Sequence, residues 1–217
     1  LTVSGGTGLF DGIQIRGSFT INDALVTVEH SHFMNNLSED ALNLNQVNGV
    51  LRDVEISNTK SDGLDADFSD VRLINSRFVN IGSQTGADAI DISRTTLYAE
   101  GVEITKVTDK AISIGEESKA YLEKLVITDS VVGVVAKDSS DVQVRNIKLS
   151  NVKLADYMAY NKKSHYSGAT IEVLNHLQKD PRVIAEHGST IKINAKLTPT
   201  QNLDVEQLYS NIMKSIK

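Results

Sequence analysis

A short phrase recurs along the chain: DGIQIRG from Asp11, DALNLNQ from Asp40, DGLDADF from Asp62, DAIDISR from Asp88, KAISIGE from Lys110 and a worn VGVVAKD from Val132. The first apolar residue of each copy gives the anchors Ile13, Leu42, Leu64, Ile90, Ile112 and Val134, whose intervals by subtraction are 29, 22, 26, 22 and 22. A second phrase has anchors Phe33, Ile56, Phe78, Ile104, Ile127 and Leu149, at intervals of 23, 22, 26, 23 and 22. Two registers that share the long step of 26 are one repeat, and repeats of this length build solenoids. The patterning is period 2, which excludes helical repeats. The Leu-x-x-Leu-x-Leu-x-x-Asn phrase of leucine-rich repeats is missing. The expectation is an all-β parallel β-helix with coils of about 22 residues, in which equivalent positions stack into columns ~4.8 Å apart.

Two columns read as structural. Asn35, Asn58, Asn80, Lys106, Asp129 and Asn151 fall at the turn two residues past each second-register anchor. Asn tolerates left-handed backbone, and stacked amides bond to one another. The outward column His32, Glu55, Arg77, Glu103, Val126 and Lys148 alternates in sign in its middle, as a solvated face does. His30 and His32, two residues apart, make half a metal site that nothing in the sequence completes.

The columns around the first-register anchors are acidic. Two residues before the anchor stand Asp40, Asp62, Asp88 and Lys110; one after it, Asn43, Asp65, Asp91 and Ser113; three after it, Arg16, Asn45, Asp67, Ser93, Gly115 and Lys137. The last two columns project outward on one sheet. Ser38 to Glu100 holds 11 acids and 5 bases, against 17 and 17 elsewhere, so the net −6 lies in the central coils. Like charges at strand spacing need a cation, protonation or a partner. Three readings stay open: a solvated patch of turn-capping Asp residues, a cation site, and a catalytic site. Asp62, Asp65, Asp67, Asp88 and Asp91 are hard oxygen donors of the kind Ca²⁺ takes, and no other cofactor is implied. As a catalytic site, Asp65, Asp91 and Lys110 would carry the chemistry and Asp62, Asp67, Asp88 and Arg94 would bind substrate. Carboxylates serve glycoside hydrolysis, and a Lys or Arg beside calcium can abstract a sugar C5 proton.

The DALNL, DGLDA, DAIDI and KAISI strands and the EISN, RFVN and LSN strand ends resemble the right-handed parallel β-helix proteins of the pectate-lyase-like superfamily, over roughly Val3 to Thr170. The resemblance implies the architecture and an extracellular or cell-surface location, and leaves activity open, because one fold hosts many functions. The first functional expectation is an exported, rigid surface or carbohydrate-recognising module of a larger protein. The second is a polysaccharide lyase or C5-epimerase acting on acidic glycans, with calcium. The second ranks lower: no histidine accompanies DGLDAD, long roofing loops are lacking, and the Tyr residues are dispersed. Phe33 and Phe78 occupy inward positions and read as core.

The domain expectation is a β-helix over residues 1–198, then an amphipathic helix over 199–217 that packs on or caps it. That helix is capped by Asn202 or Asp204 and carries Val205, Leu208, Tyr209, Ile212, Met213 and Ile216 on one stripe. Tyr157 to Gly168 reads as a basic, aromatic loop. The acidic charge and pI near 5.4 argue against nucleic acid, and no apolar run approaches a membrane span. With no cysteine, disulfides and thiolate metal sites are excluded. The start at Leu1 without a signal-like segment suggests a piece of a longer chain.

Overall fold

The two registers of apolar anchors become two columns of the core. In the computed structural model, which describes residues 1–83, 86–176 and 178–209, Leu42 faces Leu64, Leu64 faces Ile90, Ile90 faces Ile112 and Ile112 faces Val134 as direct partners on parallel strands. Phe33, Ile56, Phe78, Ile104, Ile127 and Leu149 do the same on a second sheet. Both columns are buried. A third sheet closes each coil: Asp70–Ile74, Thr96–Glu100, Lys119–Glu123, Asp141–Arg145 and Thr170–Leu174 stack with Val71, Leu97, Ala120, Val142 and Ile171 inward. The result is a parallel β-solenoid of about seven turns with a tiny C-terminal helix.

Each coil turns at three corners, and a left-handed residue sits at each. The asparagine column occupies one corner, Asn35, Asn58, Asn80, Lys106, Asp129 and Asn151 all having φ between 51° and 59°. Left-handed backbone costs an ordinary residue about 1–2 kcal/mol, and least for Asn and Asp. Asn80 Nδ2 donates to Asn58 Oδ1 at 2.9 Å, and Asn151 Nδ2 to Asp129 Oδ1 at 3.0 Å. At another corner a buried hydroxyl ladder follows the left-handed residue: Ser69 Oγ accepts from Val47 N, Thr95 Oγ1 from Ser69 N and Ser118 Oγ from Thr95 N, each at 3.0 Å.

The long step of 26 does not disturb either register. Leu64 still faces Ile90 and Phe78 still faces Ile104, so the four extra residues are absorbed between Ile81 and Asp88.

Three expectations are corrected. The first-register partner of Leu42 is Phe19, 23 residues earlier, and Ile15 of the DGIQIRG phrase pairs with Phe33 in the second register. Arg16 therefore leaves the acidic sheet and Asn22 faces Asn45 in its place. FTIN alternates as well as DGIQI does, and only the Asp-Gly turn signal favoured the latter. His30 is a corner residue with φ 47°, outside the His32–Met34 strand, and its Nδ1 lies 2.9 Å from Asp11 Oδ1, so the two histidines share no face. Tyr157 and Tyr160 are fully buried at the end of the Lys148–Tyr160 strand, which shortens the expected loop from its front.

At the C-terminus Val205–Gln207 form a short helix whose cap, Asp204, accepts from Gln207 N at 2.8 Å. Leu208 is buried against Val132, Val135, Ala155 and Met158, which project from the outside of the first-register sheet in its last coils. Ile212, Met213 and Ile216 of the expected stripe lie outside the described residues. Among the described residues no helix is long and apolar enough to cross a membrane.

Candidate functional site

The strands Asp40–Arg52, Asp62–Asp67, Ile90–Ser93 and Lys110–Gly115 bring the acidic columns together on one outer face. Asn43 faces Asp65, Asp65 faces Asp91 and Asp91 faces Ser113; Asn45, Asp67, Ser93 and Gly115 run beside them. Asp40 faces Asp62 at the strand starts. There the carboxylates hold the next coil's backbone: Asp62 Oδ1 accepts from Asp88 N at 2.8 Å, and Asp88 Oδ1 from Lys110 N at 3.0 Å.

The repulsion expected of such stacking is met in two ways. Toward the C-terminal coils, lysines meet it. Lys110 Nζ, 4% exposed, lies 3.0 Å from Asp88 Oδ1 and 3.0 Å from Asp109 Oδ2. Burial works against its charge, but Asp88 and Asp109 outweigh that and hold its pKa above the usual lysine value. Lys137 Nζ, likewise buried, donates to Ser113 Oγ at 2.9 Å and faces Asp91 Oδ1 at 3.6 Å. That oxygen accepts no hydrogen bond among the described residues.

Toward the N-terminal coils, protonation meets it. Asn43 Nδ2 reaches both Asp40 Oδ2 and Asp65 Oδ2 at 3.2 Å, and no cation forms an ion pair with Asp62 or Asp65 among the described residues. Burial and then the neighbouring Asp67, Asp40, Asp91 and Asp62 push Asp65 up to about 8. Burial and then Asp88 push Asp62 up to about 7, although the bond from Asp88 N pulls the other way. Asp67 and Asp40 are raised too, burial first. Near neutral pH Asp65 is mostly a carboxylic acid and Asp62 about half so, and with Asn43 and Asn45 on the same strands the face offers donors as well as acceptors. No three carboxylate or imidazole groups among the described residues are arranged to hold a metal ion.

The basic end is roofed by the chain's own aromatic residues. Tyr160 and Tyr209 bond through their hydroxyls, and the Tyr209 ring lies under Lys110 Nζ at 5.5 Å and Lys162 Nζ at 4.7 Å from its centroid. Burial, then Lys137 and Lys110, lower the Lys162 pKa. Asp62, Asp65, Asp67, Asp88, Asp91 and Lys110 thus share one face. Arg94 stands at its corner, with φ 50°, its guanidinium 5.6 Å from the Phe68 ring and donating to Tyr166 Oη at 3.0 Å.

Sequence reasoning did not single out Lys137, Lys162, Tyr160 or Tyr209 for this site. A signal existed for the first: Gly115 precedes Lys137 in one column, which leaves room for a lysine stem. Nor are all the tyrosines dispersed. Tyr98 and Tyr121 are direct partners on the third sheet, stacked at 4.9 Å and 9°, with Arg72 at 5.6 Å over Tyr98. Tyr98 is covered on one face by Tyr121 and on the other by Arg72, while both rings keep exposed surface, 41% and 38%. No protein-family model and no curated protein matches the chain.

Proposed function

We propose that the chain is a rigid β-solenoid module, exported as part of a larger protein, that recognises a polysaccharide or cell-surface glycan through the outer face of its first-register sheet. The observation that supports this reading is the row Asn43, Asp65, Asp91 with Asn45, Asp67 and Ser93 beside it. It repeats acid, amide and hydroxyl groups at strand spacing across consecutive coils, and such groups pair with sugar hydroxyls by donating as well as accepting. The pectate-lyase-like β-helix proteins that the repeats resemble make a carbohydrate ligand the natural class to test.

The experiment is calorimetric titration of the full chain with a glycan panel, with and without calcium, on the wild type and on Asp65→Asn/Asp91→Asn. Saturable binding that the double variant loses supports the reading. No binding to any glycan, or binding the variant keeps, rejects it.

A second reading, a polysaccharide lyase or C5-epimerase, is favoured by Asp62 and Asp65 being held near neutrality, where acid–base exchange is efficient. In it an Asp, not Lys110, handles the proton, because Lys110 is buried and bonded to two carboxylates. Unsaturated-product absorbance on acidic glycans tests the lyase, and solvent-deuterium uptake at sugar C5 tests the epimerase. Neither signal appearing, with or without calcium, rejects it.

A further inference from the structure

One corner of the solenoid carries an apolar side chain where polar ones are the rule. Past the first-register strands, Gln46, Phe68, Arg94, Glu116 and Asp138 occupy that corner in successive coils, with φ between 50° and 57°. Among the described non-glycine residues with left-handed backbone, only Phe68 and Ala195 are apolar. A bulky ring has no polar group with which to bond the nearby backbone, as Asn and Asp do at such corners.

The fold gains little from the ring in return. Phe68 is 55% exposed, so burial does not offset the unfavourable backbone. Its ring meets the Arg94 guanidinium at 5.6 Å, and an exposed cation–π contact is worth less than left-handed backbone costs an ordinary residue. What the ring does border is the acid and amide face. Phe68 directly follows Asp67, the last residue of the Asp62–Asp67 strand, which stands in the row with Asn45 and Ser93. Arg94 follows Ser93 in the same way and donates to Tyr166 Oη at 3.0 Å. The exposed pair Tyr98 and Tyr121 lies on the third sheet instead.

A pyranose ring has a face of C–H groups and a rim of hydroxyls, so a site that binds it well pairs an aromatic surface with a few polar groups. Both kinds of group meet at this corner. We infer that Phe68 is a stacking platform for a pyranose ring at the edge of the acid and amide face, with the side chains of Asp67 and Arg94 beside it to accept from and donate to the sugar's hydroxyls. The inference rests on the glycan reading and adds to it where one sugar sits and which of its surfaces is read. It also gives the ring's awkward position a reason, since a phenyl group at an outer corner is presented to a ligand and not to the core.

The test titrates the full chain calorimetrically with cellotriose, mannotriose, galactotriose and trigalacturonate, comparing the wild type with Phe68→Asn, Phe68→Tyr and Asp65→Asn/Asp91→Asn. A sugar that binds the wild type should bind Phe68→Asn roughly tenfold more weakly and Phe68→Tyr about as well as the wild type. The melting temperature of Phe68→Asn should be unchanged or higher, because asparagine suits a left-handed corner. Binding that the double variant loses and Phe68→Asn keeps would overturn the platform and leave the glycan reading standing. Binding that Phe68→Asn weakens and the double variant keeps would support the platform and reject the Asp65 and Asp91 row. If Phe68→Tyr binds as weakly as Phe68→Asn, or if Phe68→Asn melts lower than the wild type, the ring serves something other than stacking and the inference fails. No binding of any of the four sugars to the wild type would overturn both.

Discussion

The stem of Lys137 lies across the bare backbone of Gly115: a Cβ at residue 115 would stand 2.6 Å from Lys137 Cε and 3.3 Å from its Cγ. The missing side chain lets a buried ammonium reach Ser113 and Asp91 one and two coils back.

Gly115→Ala should therefore cost about 1–3 kcal/mol, the usual range for overpacking. In a Lys137→Ala background the same substitution should cost almost nothing. Urea denaturation of the four proteins measures the coupling, and additive effects would refute the contact.

Stability should fall as pH rises from about 4 to about 8. Asp62 and Asp65 have folded pKa values of about 7 and about 8, above the ordinary 3.8, so the folded chain binds these protons more tightly than the unfolded chain. Their contribution is full below the unfolded value and is lost as pH passes through the folded values. We expect the wild type to be roughly 1–3 kcal/mol less stable at pH 9 than at pH 5. Asp65→Asn should flatten part of that slope; an unchanged slope would show that Asp65 titrates normally.

Lys110→Met should destabilise by about 3–5 kcal/mol, because it leaves Asp88 and Asp109 buried without their cation. Adding Asp88→Asn should recover part of the loss, since the amide is neutral and its oxygen can still accept from the backbone N of residue 110 at the corner. Thermal unfolding of the single and double variants decides. A double variant no better than the single would mean that the lysine stem, not the charge pair, matters.

Leu208→Ala should release the C-terminal segment and leave the solenoid folded. Removing a buried Leu costs about 2–5 kcal/mol. Here the loss falls on a terminal element resting on Val132, Val135, Ala155 and Met158. Hydrogen exchange should quicken at 203–209 and stay slow in Asp141–Arg145. Faster exchange throughout would mean that the segment holds the coils together.

The stacking was legible because inward and outward residues alternate strictly, so Leu64, Ile90 and Ile112 announce one column wherever the corners fall. The first coil was not, because Phe19 and Ile13 both satisfy that alternation. The third sheet was obscured where Asp40–Arg52 passes through the corner at Gln46 without a break. For the site, columns told which residues are neighbours but not how deep they lie. Asp65 and Asp91 were read as adjacent, and they are. That Lys110 and Lys137 would be sealed under Tyr160 and Tyr209 depends on the C-terminal segment folding back, a contact between residues 49 apart that no period encodes. The pairing of Tyr98 with Tyr121 was within reach, since their separation of 23 is one coil.

The step of 26 residues carries a last implication. With Leu64 on Ile90 and Phe78 on Ile104, the ladder on either side of the corner after Ile81 is blind to how much chain passes through it. Length and fold are decoupled at that port. A guest sequence spliced between Ile81 and Asp88 would be displayed at a fixed address on the corner after Ile81, at a loop-closure cost that grows only about 0.6 kcal/mol per doubling of its length.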